Sequence, residues 1–360
     1  MNRAFNFNAG PAVLPDSVLK AAEKNWLNFN NSGMAVMEIS HRSKEYEAIH
    51  EKAKSLLRQL LSIPDSHEVL FLQGGASLQF TMVPMNLLSE GKSGHYILTG
   101  VWSEKALQEA EKIGHTSIAA SSKEQQYRSI PDFNHESLSE DAAYLHITSN
   151  NTVYGTQWHS FPSNEKAPLI ADMSSDILSK PLNIQNFDLI YAGAQKNLGP
   201  SGVTVVIINK ELLARSDKNL PTMLNYGTYE KHNSLYNTPP TLAIYLLSLV
   251  LEWAEGEGGL PIIEKRNEEK AAILYNAIDE SDGFYLGHAE KNSRSKMNVT
   301  FNLHNEESAK KFLQQAKEAG FIGLNGHRSI GGCRASIYNA IPAEHVYQLA
   351  EFMNAFKKKN

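Results

Sequence analysis

Hydrophobic positions over roughly the first 260 residues come in short runs, separated by longer stretches with helical spacing. His67 to Leu72 (HEVLFL) reads as a short strand. The loop Gln73-Gly74-Gly75-Ala76-Ser77 follows it, and a helical pattern starts at Leu78. Tyr96-Ile97-Leu98 reads as a second strand, with Trp102 and a polar helix ending near Gly114 behind it. Ala143 to Ile147 reads as a third. Leu169-Ile170-Ala171 runs into Asp172, and Leu189-Ile190-Tyr191 runs towards Lys196. Gly202 to Ile208 (GVTVVII) has the unbroken apolar character of a strand buried on both faces. Strands separated by helices need crossover connections, so the pattern predicts an α/β fold with a mostly parallel sheet covered on both faces.

The pattern changes near Gly256-Glu257-Gly258-Gly259. Pro261 to Ile278 reads as a charged amphipathic helix, and Met297 to Leu303 as a strand. A helix around Ala309 to Ala319, strand-like runs at Phe321 to Leu324 and Cys333 to Tyr338, and a last helix from Ala343 to Phe356 complete a smaller α/β unit. The expected division is a large unit over 16–259 and a small C-terminal one over 260–360. The extended segment 1–15 could pack on either, and is assigned to the smaller.

Composition narrows the function classes. At 360 residues, 42% hydrophobic and 20% charged, the chain can bury a sizeable core. A formal net charge of −5 argues against a broad nucleic-acid footprint but leaves room for local anion sites. A single cysteine, Cys333, excludes an internal disulfide and a cysteine-based zinc cluster. The 13 histidines show no His-x-x-x-His or His-Glu-x-x-His spacing, so no metal is expected. No apolar run is long enough to span a membrane. Met1 to Asn8 lacks the apolar stretch of a secretion signal, and the expected setting is the cytoplasm.

Candidate chemistry sits where strands end, which is where open α/β sheets collect ligands. Gly74 and Gly75, between a strand and a helix, read either as a phosphate cradle at a helix N-terminus or as an ordinary turn. The loop is not a Walker A motif, and Gly-x-Gly-x-x-Gly is absent. Asp172 reads as a partner for a metal or a cationic nitrogen, or as a cap. Lys196, among small residues after an apolar strand, reads as a surface lysine or as a Schiff-base former. Trp102 reads as core or as a platform for a planar ring, and Thr152 falls in the polar string Thr148-Ser149-Asn150-Asn151-Thr152.

Taken together, these segments resemble the phosphoserine aminotransferases, pyridoxal 5'-phosphate enzymes of fold type I, class V. The resemblance starts at Asn6-Phe7-Asn8-Ala9-Gly10-Pro11-Ala12-Val13-Leu14-Pro15 and continues through Glu38-Ile39-Ser40-His41-Arg42-Ser43 and Phe71 to Ser77. It includes the Asp172 strand and Tyr191 to Asn197. It ends with Gly326-His327-Arg328-Ser329 and Gly331 to Asn339, so it spans nearly the whole chain. It implies that Lys196 forms a Schiff base with the cofactor and shuttles the α-proton, and that Asp172 pairs with the pyridinium nitrogen. Trp102 would stack on the ring and Thr152 would bond near its hydroxyl. Ala76, Ser77 and Gln195 would hold the cofactor phosphate. Asn237 and Thr238 would reach the phosphate in the partner subunit, which implies a homodimer with shared active sites.

The family's substrates are glutamate and a phosphorylated keto acid, 3-phosphohydroxypyruvate. Arg334 is the candidate for the α-carboxylate, because guanidinium suits a planar carboxylate. His41, Arg42, His327 and Arg328 are candidates for the second anionic group; on the residues alone, such His-Arg pairs also read as solvated loop charges. Some relatives carry arginine where Ser77 stands. The family also commonly accepts a phosphorylated hydroxythreonine in vitamin B6 synthesis. Competing readings are an alanine–glyoxylate-type aminotransferase, a cysteine desulfurase, or a non-catalytic cofactor-binding regulator. Cys333 beside Arg334, at the start of an apolar run, fits a packed residue better than a mobile nucleophile.

Overall fold

The computed structural model describes residues 3–217, 219–328 and 330–360. Met1 and Asn2 of the N-terminal segment, and Ser329 of the Gly326 to Ser329 motif, lie outside them. Seven strands form the large sheet: His67–Leu72 (β1), Ser93–Leu98 (β2), His115–Ser121 (β3), Ala142–Thr148 (β4), Leu169–Asp172 (β5), Leu189–Gly193 (β6) and Thr204–Asn209 (β7). Their order is β1-β7-β6-β5-β4-β2-β3. Strand β7 runs antiparallel to β1 and β6; every other pairing is parallel.

The apolar runs are buried on both faces, as a covered parallel sheet requires. Successive side chains point to opposite sides. Val69, Phe71, Ala171, Ile190 and Val205 pack against the helices Lys44–Leu61 (α1) and Thr241–Gly256 (α4). Leu70, Leu72, Ile170, Leu189 and Val206 face the other way, onto Gly75–Leu87 (α2) and Val101–Ala110 (α3). The strand β3 was not expected from the pattern. It is the sheet edge, paired only with β2, and its Thr, Ser and Ala residues lack an apolar run.

A second core surrounds a three-stranded antiparallel sheet, Tyr285–Gly287 (β8), Asn298–Leu303 (β9) and Cys333–Ser336 (β10). Leu274 and Ile278 from Leu260–Asp279 (α5), Phe312 from Glu306–Glu318 (α6) and Val346, Leu349 and Met353 from Ala343–Lys359 (α7) fill it. The N-terminal arm joins this core. Phe5–Asn6 pairs in parallel with Phe321–Ile322, and Phe7 is fully buried there. Among the described residues no helix is long and apolar enough to cross a membrane.

Candidate active site

The carboxyl ends of the central strands open into a cavity of about 460 Å³. At the end of β1, Gly74 and Gly75 have φ of +88° and +65°. A side chain at Gly74 would stand 2.6 Å from Leu78 Cδ2, so glycine is required for this tight entry into α2. The helix ladder begins with Leu78 N–H donating to the Gly74 carbonyl (3.3 Å). The N–H groups of Gly75, Ala76 and Ser77 precede that bond, at the positive end of the helix dipole.

Asp172 ends β5 and is buried. Its Oδ1 accepts from the Ser174 N–H (2.9 Å) and the Ser174 hydroxyl (2.6 Å). Burial pushes its pKa up, while the Ser174 bonds and the positive charge of Lys196 pull it down. Lys196 follows β6 and lines the same cavity. Burial lowers the pKa of its amine; Asp172 opposes that shift, and Arg334 adds to it. The sequence-predicted acid and lysine therefore share one space and act on each other.

Trp102 stands in the first turn of α3, and its Nε1–H donates to Thr152 Oγ1 (3.0 Å). Arg334 on β10 reaches in from the small sheet, where one guanidinium N–H donates to the Thr152 carbonyl (2.8 Å). His327 lines the mouth. Burial lowers its pKa, and the positive charges of Arg334, Arg328 and Lys105 lower it further. The titratable residues of the lining are thus one acid, Asp172, two basic side chains, Lys196 and Arg334, and the imidazole of His327. Such a cavity favours anionic ligands.

Of the residues expected from the sequence, Ala76, Ser77, Trp102, Thr152, Asp172, Gln195, Lys196, His327 and Arg334 all line this cavity. His41, Arg42, Asn237, Thr238 and Arg328 do not. Arg42, Arg328, Asn237 and Thr238 are exposed, and His41 is half-buried. Thr238 lies beside the glycine turn, its carbonyl 3.4 Å from Gln73 Nε2.

The sequence reading missed Thr148, Asn150, Ser174 and Ser175, and also Ala9 and Gly10 of the N-terminal arm. Thr148 ends β4, Asn150 lies two residues past it, and Ser174 and Ser175 lie just past β5, so the strand-end rule could have found them. It also missed Asp176, a second buried carboxylate. The Ser149 hydroxyl and Gln157 Nε2 (3.0 Å) contact Asp176, and burial raises its pKa to about 6.

The residues present fit pyridoxal phosphate. Thr148 Oγ1 and Arg334 Nε, both on cavity-lining side chains, are buried with no hydrogen-bond partner among the described residues. A ring with polar substituents and an anionic substrate would supply partners for such groups. The acid matches a ring nitrogen, the lysine an aldehyde, the indole a flat face and the α2 N-terminus a phosphate. A larger cleft, about 1110 Å³, lies between the N-terminal arm and α5, but its Arg3 and Arg266 are paired with Asp16 and Glu257. Among the described residues no group of three or more His, Cys, Asp or Glu side chains could hold a metal ion.

Comparison with known proteins agrees with this geometry. The family described as aminotransferase class-V matches residues 4–349. A protein of Geobacillus kaustophilus (strain HTA426) named phosphoserine aminotransferase is 65% identical over 359 residues, 100% of this chain and 99% of its own length. A solved phosphoserine aminotransferase, studied for radiation damage of its Schiff base (structure C), is 62% identical with a TM-score of 0.97, each chain being covered in full. The pyridoxal-phosphate-bound phosphoserine aminotransferase of Trichomonas vaginalis is 38% identical with a TM-score of 0.92, covering 98% of this chain and 100% of its own.

Proposed function

The chain belongs to the class-V aminotransferases, enzymes that work with pyridoxal 5'-phosphate, and on that footing we propose that it transfers the amino group of L-glutamate to 3-phosphohydroxypyruvate, giving O-phospho-L-serine and 2-oxoglutarate. One observation carries the reading: Lys196 and Asp172 line one cavity together with the Arg334 guanidinium and the His327 imidazole, a cation and a hydrogen-bond donor suited to an acceptor with two anionic ends.

When bound, the cofactor supplies an aldehyde that condenses with amines and a ring that takes up the electron pair released at the substrate's α-carbon. Lys196 would hold that aldehyde, and its freed amine would move the α-proton as base and then as acid. Burial and the Arg334 charge weaken its hold on a proton, which favours the base form. Asp172 keeps the ring nitrogen protonated, and the two Ser174 donors favour the carboxylate that this requires. Trp102 gives the ring a stacking face and Thr152 bonds near its hydroxyl. The N–H groups of Ala76 and Ser77, with Gln195, bind the phosphate.

Arg334 takes the α-carboxylate common to donor and acceptor. His327 and Arg328, with His41 and Arg42, take the second anionic group. Asn237 and Thr238 serve the partner subunit's phosphate in a homodimer. Their exposure supports this, as do the solvent-facing Trp26, Leu27, Met34 and Met37 in one short stretch of chain. In this reading 16–259 binds the cofactor, 260–360 with 1–15 brings Arg334 and His327, and the enzyme works in the cytoplasm. A phosphorylated hydroxythreonine of the vitamin B6 route presents the same two charged ends and is the second acceptor.

A desulfurase needs a mobile nucleophilic thiol, whereas Cys333 is fully buried and burial pushes its thiol up to about 12. The test is a panel of keto acids run with the cofactor-loaded protein and glutamate. Turnover of phosphorylated keto acids and not of pyruvate is expected. Comparable rates on pyruvate would overturn the substrate assignment, and cofactor absorption that glutamate leaves unchanged would make the chain a binder.

A further inference from the structure

The N-terminal arm crosses from the small sheet to the cavity and ends against the lysine. Phe7 N–H donates to the Ile322 carbonyl (2.8 Å), and Ser336 N–H donates to the Phe7 carbonyl (3.2 Å). Farther along, Ala12 N–H donates to the Gln195 carbonyl (2.9 Å). Between these anchors Ala9 and Gly10 line the cavity. A Cβ on Gly10 would stand 3.5 Å from Lys196 Cγ and 3.6 Å from Cε, so the arm packs along the stem of the lysine.

Among the described residues one side chain from outside the arm bonds the middle of this stretch. The Tyr338 hydroxyl donates to the Ala9 carbonyl (2.8 Å). Its oxygen accepts from Asn298 Nδ2 (3.2 Å), whose other N–H goes to Ser336 Oγ (2.9 Å). Asn298 Oδ1 in turn accepts from Asn150 Nδ2 (2.8 Å), which also donates to Ser175 Oγ (2.8 Å). Asn150 and Ser175 line the cavity, and all five side chains are buried. Each amide N–H in this chain is used once. The Tyr338 hydroxyl accepts a hydrogen bond from Asn298 and donates its own to Ala9, so the bonds run in one direction from cavity wall to arm.

We infer that Tyr338 is a positioning residue for amino transfer: its hydroxyl seats Ala9 and Gly10 against Lys196 and so fixes where the lysine amine points. The inference rests on the role proposed for Lys196. A proton shuttle works only within hydrogen-bond reach of the proton it moves, and small displacements of such a group are costly in rate. Loss of the hydroxyl should therefore lower kcat and leave the binding of either substrate nearly unchanged.

The test compares the cofactor-loaded wild type with Tyr338→Phe and Ser336→Ala. Tyr338→Phe keeps the ring and removes the bond to Ala9. Ser336→Ala removes the other acceptor of Asn298 and leaves Ala9 bonded. In Tyr338→Phe, backbone hydrogen exchange over residues 5–14 should quicken about tenfold while β6 is unchanged. Its kcat should fall about tenfold with both KM values within about twofold. Ser336→Ala should move neither quantity. Wild-type exchange over the arm in Tyr338→Phe would overturn the inference, as would equal effects in Ser336→Ala or a rise in KM at constant kcat. In the unaltered protein the arm should exchange as slowly as β10; a fast-exchanging arm would refute the seating without any variant. A chain that never turned over glutamate would sink the functional reading, and the exchange result would still decide whether Tyr338 seats the arm.

Discussion

The indole N–H of Trp102 donates to the hydroxyl of Thr152 across 3.0 Å and so ties the start of α3 to the loop behind β4. The bond sets the plane of the indole. Lys105 Nζ stands 4.7 Å from the centroid of the same ring and adds a cationic contact. Thr152→Val keeps the branched shape but leaves the indole N–H without its acceptor. It also removes the oxygen that bonds near the ring hydroxyl in the proposed reading; one such hydrogen bond is worth about 1.4 kcal/mol, so cofactor Kd should rise about tenfold. Thr152→Ser should stay within about twofold of wild type, since it keeps the oxygen. Quenching of tryptophan fluorescence during cofactor titration measures both.

Lys196 and Asp172 should separate by the step they affect. Lys196→Ala removes the only amine of the cavity lining among the described residues, and its rate in a single turnover with glutamate should fall by about 10²–10⁴. Its circular dichroism should match wild type, because among the described residues the amine makes no hydrogen bond or ion pair that holds the fold. Asp172→Asn keeps the shape and removes the negative charge, so cofactor should still bind while the same single turnover slows. A wild-type rate in Asp172→Asn would show that the ring nitrogen needs no counter-charge.

The strands that carry the site were legible because each is a short apolar run ending in a polar residue, as Leu169–Asp172 and Leu189–Gly193 show. Helix α4 left no amphipathic trace: it packs between the sheet and α1, so apolar residues cover most of its surface. Helix α1 did carry a readable spacing, with Tyr46, Ile49, Ala53, Leu56 and Leu57 on one side, and was overlooked. The arm over Lys196 had no local signal. Gly10 and Lys196 are brought together by long-range contacts: the pairing of Phe5–Asn6 with Phe321–Ile322, the Tyr338 bond to Ala9 and the docking of Ala12 on Gln195. His41, Arg42, Asn237 and Thr238 were reached through family resemblance, and within one chain they stay outside the cavity.

Lys270 on α5 braces the segment that follows Arg334. Its side chain is 1% exposed, and its ammonium donates to the carbonyls of Ile337 (3.0 Å), Tyr338 (2.7 Å) and Ile341 (3.2 Å). Those three acceptors use all the ammonium's hydrogens. Lys270→Met fills the space but takes this donor from the Ile337 and Ile341 carbonyls, while the Tyr338 carbonyl keeps the Ile341 N–H (3.0 Å). Relief from burying a charge offsets part of the loss, so destabilisation of about 3 kcal/mol is expected. A urea midpoint that falls with an unchanged slope would show it.

Asp176 makes stability depend on pH. The Ser149 hydroxyl lies against both the Asp172 carbonyl (2.9 Å) and the Asp176 carboxyl, yet has one proton to give. Both contacts are satisfied if Asp176 is neutral: its own proton goes to Ser149, and Ser149 donates to the carbonyl. The other carboxyl oxygen accepts from Gln157 Nε2 (3.0 Å). Burial and the nearby negative charge of Asp172 favour this state; the Ser149 and Gln157 bonds and Lys180 oppose it, and the folded value is about 6 against an ordinary 3.8. The folded chain therefore holds this proton more tightly than the unfolded chain. The stabilisation is complete below the ordinary value and is lost as pH rises through about 6, up to about 3 kcal/mol in all. Asn at this position copies the neutral acid, with an N–H for Ser149 and an oxygen for Gln157. The urea midpoint of the wild type relative to that of Asp176→Asn should therefore fall as pH rises from about 3.8 to about 6, since the two proteins share every other titrating group. Parallel profiles for the two proteins would mean that Asp176 is ionised in the folded chain and that Ser149 gives its proton to the carboxylate.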